Sequence, residues 1–222
     1  MTFRLAPRAA RQSRFSSLTA RTAVGLTAHT VLLASGAAAC FAVAPLALAA
    51  GAAAHFTQDL TKSSLEYSFV QAGAQNKGTF KKYAVTLDFA ADNLAASKLD
   101  VVIDMASLDT GDKERDDTLR GPDLFDVKKN PQGRFTSTQI VKTATGYDAV
   151  GKLTLRGVSK ETHVAFTLRT ATEQGKAVNY LTGKTTVKRL DFGVGQGEWK
   201  STEFVGNDVG ISYSVRLPAA GP

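Results

Sequence analysis

Alternation of apolar and polar residues with a period of two is the feature that most restricts the fold of this 222-residue chain. It is clearest near the C-terminus, where every second residue from Val209 to Leu217 is apolar or aromatic. A period of two places successive side chains on opposite faces of a β-strand. The same pattern recurs in segments 64–69, 79–89, 99–104, 135–137, 152–156 and 163–169. We therefore predict strands that each have one apolar face and one polar face.

Glycines mark the connections between these segments. Gly146, Gly157, Gly175 and Gly206-Asn207 lie at the spacing expected of hairpin turns rather than of crossover helices. The sequence predicts one antiparallel, all-β domain of about eight strands, whose apolar faces pack against one another. Two stacked sheets and one sheet closed into a barrel both satisfy this pattern.

The residues that catalysis requires are sparse. No Gly-x-Ser-x-Gly or His-Glu-x-x-His motif is present, and neither His55 nor His163 has a second metal ligand at a suitable spacing. A carboxylate pair such as Asp104 with Asp109 is the remaining route to a hydrolase. Residues 55–222 carry 22 basic and 20 acidic side chains, a net charge of +2 that gives no basic stripe for nucleic acid. We predict a protein that is not an enzyme, needs no metal and does not bind nucleic acid.

Residues 1–54 have the composition of an export signal. They contain five arginines, no acidic residue and a long apolar stretch from Ala23 to Ala50. Cleavage after Ala49 or Ala54 by the general secretory route would leave a periplasmic chain that contains the domain at 55–222 and lacks Cys40, the only cysteine. The alternative is an uncleaved helix that anchors the domain to the membrane.

A charged passage from Ser107 to Asp126 interrupts the strand pattern. Thr110 or Asp112 is a candidate N-cap for a short helix that continues to Leu119, and Gly121-Pro122 should end it. A second short turn over 123–127 would present Leu124 and Phe125. The sequence therefore predicts a short helical passage around 112–126.

The motifs in and after this passage resemble those of the YceI-like family, and the resemblance covers roughly residues 59–217. They are Ser107-Leu-Asp-Thr-Gly111, Arg115-Asp116, Leu119-Arg120, Phe125-Asp126, Phe135 with Ser137, Gly151-Lys-Leu-Thr-Leu-Arg-Gly157, Arg189-Leu-Asp-Phe-Gly193 and Gly197-Glu-Trp199.

This resemblance implies an eight-stranded, lipocalin-like antiparallel barrel with the helical passage near one end. It also implies a periplasmic protein that binds or carries a long-chain lipid, such as an isoprenoid, a quinone or a fatty-acyl lipid, in transient contact with a membrane. The run 195–199 is similar to the corresponding run in relatives that are fused to or paired with membrane di-haem b-type cytochromes. The resemblance therefore makes such a cytochrome a candidate partner. We expect a monomer or a dimer. The alternative is a periplasmic stress or scaffold protein with a packed core.

The apolar faces and the helical passage supply the predicted site residues. The candidates for lining a lipid cavity are Leu65, Tyr67, Phe69, Phe80, Leu99, Val101, Ile103, Leu119, Phe125, Phe135, Leu153, Val164, Phe166, Leu168, Phe192, Trp199, Ile211 and Tyr213. Arg120 and Arg189 are the candidates for contacting a polar head group.

Overall fold

The computed structural model describes residues 52–218, which form eleven antiparallel strands and one α-helix. The export segment predicted at 1–54 lies outside the described residues apart from its last three. The strands are β1 (Ala54–Thr57), β2 (Ser64–Gln71), β3 (Ala74–Phe80), β4 (Tyr83–Phe89), β5 (Lys98–Asp104), β6 (Leu108–Asp109), β7 (Gln132–Lys142), β8 (Tyr147–Leu155), β9 (Val158–Glu173), β10 (Lys176–Lys188) and β11 (Asp208–Pro218). Because Ala54 already pairs with Phe89 of β4, cleavage after Ala54 would shorten β1.

All eleven strands belong to one curled sheet. Their order is β1-β4-β5-β7-β8-β9-β10-β11-β2-β3-β6, and neighbouring strands are hydrogen-bonded. Apolar side chains on the concave face form the main core, with Leu87, Leu99, Leu108 and Leu217 fully buried. The predicted all-β, antiparallel, barrel-like fold is confirmed, but the predicted number of eight strands is wrong.

Three features of the sequence hid the additional strands. The alternation predicts one strand over 79–89, but the chain breaks at Lys81 and Lys82, whose backbone N–H groups donate to the carbonyl and hydroxyl oxygens of Ser107, respectively. Strand β10 contains three threonines and three lysines among its 13 residues, so only part of it shows apolar alternation. The short strands β1 and β6 give too few residues for a periodic signal.

Residues after β1 link the two sides of the curled sheet. The Gln58 side chain continues the strand pairing, because its Nε2 donates to the Tyr83 carbonyl oxygen at 2.9 Å and its Oε1 accepts from Val85 N at 2.6 Å. The N–H of Asp59 donates to the carbonyl oxygen of Arg216 in β11 at 2.9 Å. These bonds join β4 to β11 and give the sheet its barrel-like form.

An ion-pair network on the outer surface fastens the same region. Arg216 donates to Asp59 Oδ2 at 2.8 Å and to Glu173 Oε2 at 2.8 Å, and Tyr180 Oη donates to Glu173. The hydrogen bonds from Tyr180 and Arg216 hold the pKa of Glu173 below its ordinary value. Hydrogen bonds from Thr61, together with the charge of Arg216, lower the pKa of Asp59. We call Arg216, Asp59, Glu173 and Tyr180 the Arg216 network.

The predicted helical passage is confirmed. Helix α1 spans Lys113–Arg120, and Asp112 is its N-cap because its side chain accepts from the backbone N–H groups of Glu114 and Arg115. Gly121 follows as the C-cap. The next turn is held by a bond from Phe125 N to the Leu119 carbonyl oxygen at 3.0 Å.

Candidate ligand-binding cavity

The concave face of the sheet encloses a cavity of about 570 Å³. Strands β2 to β5 and β7 to β11 contribute side chains to its wall, and almost all of these are apolar. The volume lies within the range of roughly 300–1,000 Å³ that is typical of small-molecule sites. The interior is therefore not packed solid, whereas the alternative of a stress or scaffold protein predicts a packed core.

Most of the predicted lining residues do surround the cavity. They are Leu65, Tyr67, Phe69, Phe80, Leu99, Val101, Ile103, Leu119, Phe125, Phe135, Leu153, Val164, Trp199, Ile211 and Tyr213. Their binding of a ligand stays a prediction.

Three predicted lining residues lie elsewhere. Phe166 is 3% exposed and packs against Tyr147, and Leu168 lies two residues farther along β9, beyond the end of the cavity. Phe192 belongs to a second apolar cluster with Val194, because the 3₁₀ turn at 189–192 directs its ring there. Alternation identifies the inward face of a strand but not the depth at which the interior stops being hollow.

Further residues that were not predicted also line the cavity. Tyr83, Val85, Leu155, Val209 and Val215 share the alternation of their strands and could have been identified from it. Others lie in segments without such a signal; they are Met105, Leu124, Leu181, Val187, Val194, Phe204 and Val205.

One end of the cavity opens to solvent between α1 and the segment 197–205. The exposed residues among its lining all lie there: Asp112, Glu114 and Thr118 from the helical passage, and Phe204 from the opposite side. Phe204 is 51% exposed, and its ring lies 6.3 Å from that of Trp199. The mouth thus combines aromatic and charged side chains.

The other end of the cavity is closed by stacked aromatic rings. Phe89 meets Tyr147 edge-on with ring centroids 4.9 Å apart, and Tyr147 stacks on Phe166 at 5.5 Å. We call Phe89, Tyr147 and Phe166 the aromatic floor. None of the three lines the cavity, since they fill the space below it.

Tyr213 lies across the wall beside this floor. Its hydroxyl donates to the Ala165 carbonyl oxygen at 2.5 Å, and its ring crosses Gly183 of β10. A Cβ atom at Gly183 would lie 2.2 Å from the Ala165 carbonyl oxygen and 2.6 Å from the Tyr213 ring. Only glycine leaves room for this ring to lie flat against the strand.

Arg120 does not face the cavity. Its guanidinium donates to the carbonyl oxygens of Ala106 at 3.1 Å and of Leu108 at 2.5 Å, and it contacts Asp117 at 3.4 Å. This geometry does not support the predicted head-group role of Arg120, which stays a prediction. Arg120 instead fixes α1 to the chain that enters it.

Arg189 borders the cavity, but all five of its N–H groups are used within the protein. They donate, over 2.7–3.0 Å, to the carbonyl oxygens of Val194, Trp199, Ser201, Val205 and Gly206.

The side chain is 5% exposed, and a Cβ atom at Gly195 would lie 2.0 Å from Arg189 Nη1. Arg189 thus organises the segment 193–206, which forms one side of the mouth. Because all five N–H groups are occupied within the protein, this geometry gives no support to the predicted head-group role of Arg189.

The side chain of Tyr67 is a buried part of the cavity wall, and its hydroxyl group is buried with it. The residue is 5% exposed, its ring lies over Gly78, and its Oη has no hydrogen-bond partner among residues 52–218. Burial, followed by the nearby charge of Asp116, raises the pKa of Tyr67, so the phenol stays protonated.

The carboxylates considered for hydrolysis serve local structure. Asp104 accepts from Ala106 N at 3.0 Å, and Asp109 accepts from Gly111 N at 2.8 Å and pairs with Lys81. Within residues 52–218, no three His, Cys, Asp or Glu side chains are grouped as metal ligands. No helix in that part of the chain has the length and apolar character needed to cross a bilayer.

Comparison with protein families settles the relationship that the motifs indicated. The model of the YceI-like domain matches residues 56–217. The chain belongs to the YceI-like family. A UPF0312 protein of Yersinia enterocolitica is 46% identical to this YceI-like chain over 83 residues, which are 37% of the chain and 43% of that relative. A UPF0312 protein of Vibrio vulnificus is 33% identical over 145 residues, covering 64% of the chain and 73% of the relative.

Solved structures show the same fold for this YceI-like chain. The crystal structure of BcnA from Burkholderia cenocepacia has a TM-score of 0.65 and 34% identity, and the match covers 72% of this chain and 98% of BcnA. A polyisoprenoid-binding domain from Saccharophagus degradans has a TM-score of 0.54 at 17% identity, with coverage of 76% and 99%. The second likeness concerns the fold alone.

Proposed function

We propose that this protein binds the apolar chain of one lipid in its cavity and carries or sequesters it without catalysis. The lipid would be an isoprenoid, a quinone or a fatty-acyl compound. The observation that carries the proposal is an apolar cavity that side chains leave unfilled and that opens at one end. The name of the polyisoprenoid-binding domain from Saccharophagus degradans supports the same ligand class.

The energetics of this site favour exchange with a membrane. Each methylene group removed from water contributes about 0.8 kcal/mol, so a long chain is held strongly against water. A bilayer interior is about as apolar as the cavity wall, so transfer between them is nearly balanced. A carrier of this kind needs contact with a membrane but no chemical step.

We further propose that the protein works in the periplasm after export through the general secretory route, either free or held by an uncleaved N-terminal helix. Transient membrane contact would occur at the mouth, where Phe204 is half exposed. The similarity of 195–199 to cytochrome-associated relatives makes a membrane di-haem b-type cytochrome a candidate partner. Assembly as a monomer or a dimer stays a prediction.

Lipid extraction tests the binding proposal. Protein purified from a bacterial periplasm is extracted with organic solvent, and the extract is analysed by mass spectrometry. The variant Val101→Trp places an indole in the cavity, and Val102→Trp places the same group on the opposite face of β5. We expect at least a tenfold loss of bound lipid in the first variant and no loss in the second. Equal lipid content in both, or none in the unaltered protein, would refute the proposal.

A further inference from the structure

The two sides of the cavity mouth differ in charge. On one side, seven of the nine residues from Asp112 to Arg120 in the helical passage are charged. On the other side lie the hairpin between β2 and β3, residues 70–76, and the segment 204–207. None of the residues in these two ranges has an ionisable side chain. We call residues 70–76 and 204–207 the uncharged lip.

Backbone hydrogen bonds join the two parts of the uncharged lip. The N–H of Ala72 donates to the Phe204 carbonyl oxygen at 2.8 Å, and the N–H of Gly206 donates to the Val70 carbonyl oxygen at 2.9 Å. A β-bridge between Gln71 and Val205 lies between these two bonds. The lip is therefore an ordered extension of the sheet, and these backbone groups stay paired where water is absent. Such pairing is required of any backbone that enters an apolar environment.

The uncharged lip exposes apolar side chains beside an apolar cavity. Val70 is 40% exposed and Phe204 is 51% exposed, and they are two of the five large apolar side chains that are exposed in residues 52–218. Phe204 and Val205 also line the cavity, so the exposed apolar surface continues into its wall. Exposed apolar surface of this kind marks a site of interaction.

We propose that the uncharged lip enters the surface layer of a lipid bilayer while helix α1 stays in water, so that the cavity opens toward the lipid tails. The inference rests on the proposed lipid-binding function and assigns its membrane contact to one side of the mouth. A bilayer accepts apolar side chains on a paired backbone and excludes charge, and the lip meets both conditions. The rim of a protein interface is polar, and the lip has no charged group to pair with one.

This contact removes the main barrier to transfer of a lipid. A chain that crosses water between a bilayer and the cavity exposes its methylene groups, and each exposed group slows the crossing by about fourfold. When the lip lies in the bilayer, the chain passes from the lipid tails to the cavity wall without that exposure. Transfer then depends on collision of the protein with the membrane.

A matched pair of valines tests the role of the uncharged lip in transfer. Val70 and Val141 are 40% and 39% exposed, and neither lines the cavity. Val141 pairs with Asp148 at the opposite end of the barrel, beside Tyr147 of the aromatic floor. The variants Val70→Glu and Val141→Glu therefore place the same charge at the two ends. Thermal unfolding of each variant shows whether it is folded before transfer is measured.

The assay uses vesicles of phosphatidylethanolamine and phosphatidylglycerol that carry a pyrene-labelled fatty acid. Loss of pyrene excimer emission after mixing gives the rate of transfer to the protein. We expect Val70→Glu to slow transfer by about tenfold or more, because a carboxylate on the lip has to stay in water. Val141→Glu should transfer at the rate of the unaltered protein.

Fluorescence quenching tests the position of the uncharged lip directly. Trp199 is the only tryptophan, so Phe204→Trp or Val141→Trp combined with Trp199→Phe leaves one tryptophan at either end of the barrel. Vesicles with brominated acyl chains quench a tryptophan that enters the bilayer. We expect quenching at position 204 and none at position 141.

An unchanged transfer rate in Val70→Glu, or equal quenching at positions 204 and 141, would overturn the assignment of membrane contact to the uncharged lip. The lipid content of Val70→Glu purified from a bacterial periplasm should equal that of the unaltered protein, because Val70 lies outside the cavity wall. A normal lipid content together with an unchanged transfer rate would therefore overturn the lip and leave lipid binding intact. Failure of the unaltered protein to take up the labelled lipid or to retain any lipid would overturn the proposed function itself.

Discussion

Replacement of Arg189 by methionine tests whether this side chain organises the mouth of the cavity. The change removes the donors to five carbonyl oxygens. Three of these oxygens belong to partly exposed residues and can bond to water instead. The carbonyl groups of Val194 and Val205, two residues that are themselves buried, would keep no partner. At about 1–3 kcal/mol for each unpaired group, the free energy of unfolding should fall by about 4 kcal/mol.

For a domain of this size the melting temperature should fall by about 8–16 °C. Trp199 is the only tryptophan, and its carbonyl oxygen is one of the acceptors, so its fluorescence reports directly on the affected segment. Arg189→Lys should lose less stability, because lysine keeps a charge and up to three donors. Arg134→Met is the control, since that side chain is 60% exposed and its ion pair contributes less than about 1 kcal/mol. A loss below about 1 kcal/mol for Arg189→Met, with unchanged Trp199 emission, would refute the reasoning.

Three further changes test other contacts. Gly183→Ala should destabilise the fold by about 1–3 kcal/mol, measured by urea unfolding, because the added methyl group meets the Ala165 carbonyl oxygen at 2.2 Å; a neutral change would contradict this packing. Tyr67→Phe removes a buried hydroxyl without a partner in residues 52–218, so stability should stay level or rise by about 1 kcal/mol; a marked loss would show that the hydroxyl is bonded. The carboxylates of the Arg216 network have lowered pKa values in the folded state, so they bind fewer protons there than in the unfolded chain between the two values. Their contribution is therefore present above pH about 4 and lost as the pH falls. Arg216→Gln should make the melting temperature less sensitive to acid, and an unchanged acid profile would count against the network.

Sequence reasoning worked where the signal is local. The alternation from Val209 to Leu217 identified a strand that the structure gives as β11, and Asp112 with Gly121 bounded helix α1. Both depend on side-chain spacing or capping within a few residues. Alternation did not predict that the strand ends at Lys81. The break between β3 and β4 depends on Ser107, which lies 26 residues farther along the chain.

The candidate site shows the same division. Inward-facing positions such as Val101 and Ile211 follow from the alternation, and the structure places both in the cavity wall. Phe166 has the same pattern but lies in the floor, since its position depends on contact with Tyr147 of the neighbouring strand. Arg189 could not be distinguished from a head-group ligand, because its acceptors are carbonyl groups that every residue has.

The amino-acid sequence by itself determined that this is an antiparallel β-domain of the YceI-like family with an apolar interior, since alternation and capping are properties of neighbouring residues. Only the tertiary structure decided how many strands form the sheet, how deep its interior stays open and which arginines are already occupied. Those properties arise where distant segments meet. No single segment determines the space that is left between their side chains.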